Sequence, residues 1–327
     1  MVETSSALLV ILVVMLAARA FLCACMEPAR RRRARVHLSR LAALVVVAAS
    51  PWGPDGHAQE RPSQPDLSFP KQAKELGLFS ALEMGVWKPE GDGPFPALII
   101  VHTCGGIRQQ IAYWRKEAVR RGYVAFVIDS FSSRGSTSCR PLPPVSMARG
   151  VKDVFDAAEH LKTFPFVDKS RIAVLGVSWG AMVGLRSGSP GFVAKAALAG
   201  TPLSAVVSLY PACYLPPFGT SPGGEFLLSD VSTPTLVLMG GQDNETQPQE
   251  CLSRLAPLKE RGAPVEWHVF ANATHCWDCS DQHNQRWNPP WAGGRSVVYL
   301  YDSRVTDESA ERAFEFLSRQ LKVEPRK

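Results

Sequence analysis

The chain has very little net charge once its first 58 residues are set aside. Those residues hold seven arginines against three acidic groups, whereas the other 269 residues carry 29 basic and 27 acidic side chains. The formal net charge of +6 therefore comes mainly from the amino-terminal segment. It is no argument for a nucleic-acid partner, because the body of the chain is almost neutral.

The sequence also lacks internal repeats and low-complexity blocks after residue 70. Its composition, 46% hydrophobic and 20% charged, is that of an ordinary globular protein. These observations exclude a repeat architecture and a mainly disordered chain, and they favour a single globular domain over residues 79–327.

The amino-terminal segment has the order of features found in secretory signals. A basic run at 30–40 is followed by an apolar run at 41–50 and by the small residues Gly56 and Ala58. This pattern predicts a signal peptide removed near Gln59, and hence a periplasmic or secreted protein.

A second apolar run, at residues 7–18, leaves an alternative open. If translation starts at Met26, residues 1–25 are an artefact of the assigned start. If they are retained, residues 6–25 would anchor the protein in a membrane, although Arg19 interrupts the run. In either case residues 1–58 form a leader and residues 59–78 a polar tether.

Short runs of β-branched and aromatic residues alternate with amphipathic stretches along the predicted domain. The predicted strands are 96–102, 123–129, 171–178, 205–211, 234–240 and 265–270. The predicted helices are 108–122, 151–164, 181–187, 248–262 and 306–321, the last with Thr306 as its cap. Strands that are apolar on both faces predict a mainly parallel sheet flanked by helices on both sides.

A single serine stands between two glycines in VLGVSWGAM, residues 174–182. A tight turn from strand to helix strains its middle residue and leaves no room for side chains two positions away. Gly176 and Gly180 supply that room and predict that Ser178 is a nucleophile exposed at the carboxyl edge of the sheet. The Trp179 N–H at the helix start would then face developing negative charge.

A serine nucleophile needs a histidine base and a carboxylate that orients it. Asp243 and His275 each follow one of two consecutive predicted strands. The order Ser, Asp, His along the chain is the one found in hydrolases whose nucleophile lies in such a strand-to-helix turn. The other histidines fit less well, since His160 lies in a helix, His268 lies in a strand, and two more lie in or beside the leader. A second oxyanion N–H is assigned to Cys104, in the turn VHTCGG that ends the first predicted strand.

These motifs resemble those of the dienelactone hydrolase family within the α/β-hydrolase superfamily. The resemblance covers residues 79–322 and depends on VHTCGG, VIDSFSSRG, GVSWGAM, LYPAC, LMGGQDNETQPQEC and YDSRVTDESAERAFEFL. It implies hydrolysis of a small-molecule ester or lactone through an acyl intermediate, with no cofactor or metal. Ser178 stands where the namesake enzymes carry cysteine, and Thr103 stands where related turns commonly have glycine.

Six cysteines lie beyond the leader, and in an oxidising compartment they predict disulfides. Six cysteines allow 15 pairings. Cys104 and Cys139 lie on loops after neighbouring strands, and Cys213 follows a strand whose neighbour leads to Cys251. Cys276 and Cys279 stand close together in CWDC, so these three pairs are favoured.

Two alternative functions remain open from the sequence. One is a peptidase on the same scaffold. The other is a zinc or thiol-redox module, in which the ligands would be His275, Cys276, Cys279 and His283. Two residues are candidate substrate contacts: Arg134, for which an ion pair with a nearby acid is the alternative, and Trp277, which could instead cover the core.

Overall fold

The computed structural model describes residues 85–139, 145–196, 202–217 and 223–323. The leader, the tether and the first six residues of the predicted domain lie outside the described residues. Within the described part of the chain, no helix combines the length and the apolar character needed to cross a membrane.

Seven strands form one twisted sheet, and every neighbouring pair except the first is parallel. The described residues contain eleven strands in all: β1 Gly85–Trp87, β2 Phe95–Val101, β3 Val124–Ile128, β4 Val167–Val177, β5 Val206–Leu209, β6 Tyr214–Leu215, β7 Gly224–Glu225, β8 Thr235–Gly240, β9 Val265–Phe270, β10 Arg286–Trp287 and β11 Val297–Val298. The main sheet has the order β1-β3-β2-β4-β5-β8-β9, while β6 pairs with β7 and β10 with β11 in two small ribbons.

Helices cover both faces of this sheet. They are α1 Gln109–Arg120, α2 Met147–Leu161, α3 Trp179–Ser187, α4 Pro190–Lys195, α5 Pro248–Glu260 and α6 Ser303–Leu321. Successive residues of a strand face opposite sides. Leu236 and Leu238 of β8 therefore pack in the cluster that contains α1 and α6 residues, while Val237 and Met239 pack with α3 and α5. The predicted α/β class with helices on both faces is confirmed.

The structure corrects one predicted helix boundary. Thr306 was expected to cap the last helix, but α6 begins at Ser303 and is capped by Asp302, whose side chain accepts hydrogen bonds from the N–H groups of Arg304 and Val305. Thr306 lies inside the first turn, where its hydroxyl donates to the Asp302 carbonyl at 2.8 Å. Aspartate is at least as good an N-cap residue as threonine, and Asp302 stands directly before the first helical residue.

Three disulfides join the six cysteines beyond the leader in the pairing that their positions favoured. Cα–Cα distances are 4.9 Å for Cys104–Cys139, 4.9 Å for Cys213–Cys251 and 5.3 Å for Cys276–Cys279. The first joins the loops after β2 and β3, and the second joins the segment after β5 to α5. The third closes the turn that follows His275.

Candidate active site

Ser178 occupies a strained turn between β4 and α3. Its φ of 51° and ψ of −111° lie in a region that residues other than glycine rarely adopt. A Cβ on Gly176 would come within 2.0 Å of the Gly180 carbonyl oxygen, and one on Gly180 within 2.3 Å of the Val101 carbonyl oxygen. Both positions therefore require glycine, as the spacing predicted, because α3 starts directly against the ends of β2 and β4.

The structure brings the three predicted residues into one hydrogen-bonded chain. Ser178 Oγ lies 3.0 Å from His275 Nε2, and His275 Nδ1 lies 2.7 Å from Asp243 Oδ2. Because a carboxylate only accepts hydrogen bonds, Nδ1 carries the hydrogen and Nε2 is left to accept a hydrogen bond from the Ser178 hydroxyl. The side chains of His275 and Asp243 are 2% and 1% exposed, so water does not compete for these bonds.

The turn after β8 holds the Asp243 carboxylate in a fixed orientation. Its Oδ1 accepts the backbone N–H groups of Glu245 and Thr246, each at 2.9 Å. Its Oδ2 accepts the Thr246 hydroxyl at 2.8 Å in addition to the histidine. Each carboxylate oxygen is therefore occupied by donors, and the plane of the carboxylate sets the orientation of the imidazole.

The surroundings of His275 raise its basicity. Burial alone would lower the pKa of this imidazole, but the negative charges of Asp243 and Glu245 and the hydrogen bond to Asp243 outweigh burial and raise the pKa to about 9. Asp243 and Glu245 thus favour the protonated, imidazolium form of His275.

The two residues predicted to donate backbone N–H groups to an oxyanion, Trp179 and Cys104, both lie beside Ser178. Trp179 is the first residue of α3, where a helix provides no acceptor for the N–H. Cys104 lines the same cavity as Ser178. Its position is fixed by the disulfide to Cys139 and by the hydrogen bond that the Cys139 N–H donates to its carbonyl at 2.8 Å.

The triad opens into a cavity of about 330 Å³ whose wall is largely polar. Its lining residues are Thr103, Cys104, Gly105, Arg108, Thr137, Ser138, Ser178, Glu245, His275, Cys276, Gln282, Gln285 and Tyr299. A volume at the lower end of the range for ligand pockets suits a small molecule.

The two candidate substrate contacts lie elsewhere. Arg134 makes a bidentate ion pair with Asp153, with N–O distances of 2.9 and 2.8 Å, and both side chains are almost fully buried. Trp277 is fully buried in the core, where its ring packs on Tyr210 and Phe270. Neither residue lines the cavity, so the structure places Arg134 in an ion pair and Trp277 in the core.

The segment proposed as a zinc or thiol site has a different arrangement. Cys276 and Cys279 are bonded to each other, so neither offers a thiolate. His275 Nε2 faces Ser178, and His283 Nδ1 accepts the Tyr301 backbone N–H at 3.0 Å. Among the described residues, one group of possible metal ligands lies close together, and it consists of Cys276, Asp278 and Cys279. The structure does not bring the four proposed ligands together.

Several residues at the site had not been predicted from the sequence. Asp278 is buried behind His275 and accepts hydrogen bonds from Trp114 Nε1 at 2.8 Å and from the Tyr210 hydroxyl at 2.7 Å. Burial raises the pKa of Asp278, partly offset by these bonds. The Tyr210 ring lies 4.7 Å from the His275 ring and packs against its side. The LYPAC motif carried this tyrosine, but nothing in its spacing indicated the contact.

Comparisons with known proteins show the family and the fold of this chain. Residues 82–321 match the model of the dienelactone hydrolase family. An uncharacterized protein of Escherichia coli K12, YcjY, is 22% identical over 233 residues, which is 70% of each chain.

Solved structures share the fold at low identity. A putative dienelactone hydrolase from Klebsiella pneumoniae superposes with a TM-score of 0.53 at 18% identity, covering 72% of this chain and 91% of that one. Esterase 2 of Thermogutta terrifontis, with butyrate bound, superposes with a TM-score of 0.53 at 18% identity, covering 74% of this chain and 91% of that one. Since the family match spans most of the chain, the protein belongs to the dienelactone hydrolase family of carboxylic ester hydrolases, with the α/β-hydrolase fold.

Proposed function

We propose that this protein is an exported serine hydrolase that cleaves a small carboxylic ester or lactone through an acyl-serine intermediate. The observation that carries the proposal is the buried chain from Ser178 Oγ through His275 to Asp243. Ser178 and His275 line the polar cavity described above.

In the acylation step, His275 Nε2 takes the proton of Ser178 as its Oγ attacks the ester carbonyl carbon. The N–H groups of Trp179 and Cys104 hold the oxyanion of the tetrahedral intermediate, and Asp243 stabilises the imidazolium. When the intermediate collapses, the proton passes from Nε2 to the departing alcohol oxygen. Ser178 is left acylated.

In the deacylation step, water takes the place of the alcohol and the same groups act in reverse. His275 accepts a proton from water, the oxygen attacks the acyl carbon, and Ser178 Oγ leaves with the proton returned from Nε2. The acid product departs and the free serine is restored. In both steps, His275 Nε2 accepts the proton and later returns it.

The size of the cavity favours short acyl groups. Esterase 2 of Thermogutta terrifontis has been solved with butyrate, with propionate and phosphorylated by paraoxon. We infer that this chain accepts esters of comparable size, because its cavity of about 330 Å³ leaves little room beyond a short chain.

Hydrolysis of p-nitrophenyl acetate and butyrate tests the proposal, and its pH dependence tests the role of His275. The imidazole must be neutral to accept a proton, so kcat/KM should be low in acid and rise with pH. Because the pKa of His275 is raised to about 9, the midpoint should lie above the free value of about 6.5 and towards 9.

The background rate is measured with the Ser178→Ala variant at each pH, since esters hydrolyse spontaneously in base. A midpoint at or below the free value would show that Asp243 and Glu245 do not favour the charged imidazole. No hydrolysis above background would contradict the esterase proposal itself.

Export is the second part of the proposal. It rests on the leader pattern at 30–58 and on the three disulfides, which persist in oxidising compartments. Amino-terminal sequencing of the protein from a cell that exports it should find a start at or near Gln59. Finding residues 1–25 still attached would support the membrane anchor instead.

A further inference from the structure

Glu245 is a buried carboxylate on the Nε2 side of His275. Its side chain is 5% exposed, and its Oε2 lies 4.0 Å from His275 Nε2. The Tyr299 hydroxyl donates a 2.6 Å hydrogen bond to this oxygen, and Trp287 Nε1 donates to the Tyr299 oxygen at 3.0 Å. The carboxylate is therefore held in place in the wall of the cavity that contains Ser178.

The 4.0 Å separation is too long for a direct hydrogen bond and suits one bridging water. If a water oxygen lies about 2.8 Å from both atoms, the angle at that oxygen between Nε2 and Oε2 is about 90°. This is close to the angle of about 105° between the two O–H bonds of water. Such a water can donate one hydrogen to Nε2 and the other to Oε2, since a carboxylate oxygen accepts more than one hydrogen bond. An alcohol in the same place has one hydroxyl hydrogen and can satisfy only one acceptor.

We propose that Glu245 positions the water that hydrolyses the acyl enzyme and so favours hydrolysis over transfer of the acyl group to an alcohol. The proposal rests on the serine-hydrolase function proposed above. The water oxygen forms a bond to the acyl carbon while one proton passes to His275 Nε2. The bond from the acyl carbon to Ser178 Oγ then breaks, and Oγ takes that proton.

The second hydrogen of the water remains on the oxygen that becomes part of the product carboxyl group. Glu245 Oε2 accepts a hydrogen bond from it throughout the step. Acyl-serine and water thus give a carboxylic acid and free serine, with no oxidation or reduction.

A positioning role predicts an effect on one step only, because acylation uses no water. The negative charge of Glu245 has a separate effect, since it raises the pKa of His275 and so influences both steps. The two effects can be separated by comparing Glu245→Gln with Glu245→Leu. Both variants remove the charge, but only glutamine keeps an oxygen that accepts a hydrogen bond from water.

With p-nitrophenyl acetate, the first turnover reports acylation and the steady state reports deacylation. We expect the two variants to acylate at rates within about threefold of each other, and the leucine variant to deacylate at least about tenfold more slowly. In the presence of methanol, the ratio of methyl acetate to acetate should rise by a similar factor in the leucine variant relative to the glutamine variant.

Glu250→Gln is the matched control, because it removes a half-exposed carboxylate of α5 that pairs with Arg254. Its acylation rate, deacylation rate and product ratio should equal those of the wild type. Equal deacylation rates and equal product ratios in the two Glu245 variants would overturn the proposal.

If the leucine variant does not fold, Tyr299→Phe replaces it, because it removes the hydrogen bond that holds Glu245 and leaves the charge in place. A raised share of methyl ester relative to wild type is expected, and an unchanged share overturns the proposal. Failure of the function itself looks different: the wild type would then release p-nitrophenol no faster than Ser178→Ala.

Discussion

Replacing Ser178 with alanine should lower kcat for ester hydrolysis by up to about a millionfold while the protein keeps its fold. In the proposed mechanism, Ser178 Oγ is the atom that forms the bond to the acyl group. Its hydrogen bond in the structure is the one to His275 at 3.0 Å, so its loss leaves the packing of the turn unchanged. The measurement is kcat for p-nitrophenyl acetate with purified protein, together with the thermal unfolding midpoint.

Ser187→Ala is the matched control for this prediction. Ser187 ends the same helix α3, is buried, and donates its hydroxyl hydrogen to the Val183 carbonyl at 2.8 Å. This variant should lose a little stability and keep its kcat. Esterase activity that survives in purified Ser178→Ala would show that another residue is the nucleophile.

Replacing Asp243 with asparagine should lower kcat by about ten-thousandfold, with the geometry of the site preserved. Asp243 Oδ1 accepts two backbone N–H groups, so the amide oxygen of asparagine would occupy that position. Its amide nitrogen would then face His275 Nδ1 and donate to it. The imidazole hydrogen would be forced onto Nε2, which could no longer accept the proton of Ser178.

The measurement is again kcat for p-nitrophenyl acetate, with Glu250→Gln as the control for loss of a nearby negative charge. A fall of less than about tenfold for Asp243→Asn would mean that the orientation of the imidazole is set by other contacts. The Thr246 hydroxyl, 3.1 Å from Nδ1, would be the first of these to examine.

The parallel strands and the meeting of Ser178, Asp243 and His275 could be predicted because they follow from short sequence patterns and from the edge that parallel strands share. The glycines at 176 and 180 mark the turn directly, since any side chain there would overlap a backbone carbonyl. Asp243 and His275 could be predicted because parallel strands end at the same edge of the sheet, which brings the residues after β8 and β9 close to those after β4.

The rest of the site depends on contacts that span long stretches of sequence. The segment between β9 and α6 has no periodicity, so the sequence left Trp277 open between a substrate contact and the core. Nothing in it indicated that Tyr299 reaches Glu245. Glu245 itself lies only two residues after Asp243. Its place in the turn after β8 indicated that it lies near Asp243. The direction of its side chain, however, is fixed by Tyr299, which is 54 residues away in the sequence.

The edge strand β1 was also not predicted from the sequence. It has three residues, Gly85–Trp87, and pairs antiparallel with β3. A strand of that length is too short to show alternation, and its pairing depends on the exposed edge of a sheet that forms from later residues. Local pattern therefore predicted the parallel strands but not this one.

Labelling with a fluorophosphonate, followed by peptide mapping, tests the central claim most directly. A serine activated by a histidine attacks the phosphorus and becomes covalently bound to it, whereas an ordinary buried serine does not react. One label per chain on the peptide that contains Ser178, with no label in Ser178→Ala, is the result we expect. Absence of labelling, or a label on another residue, would contradict the assignment of Ser178 as the nucleophile.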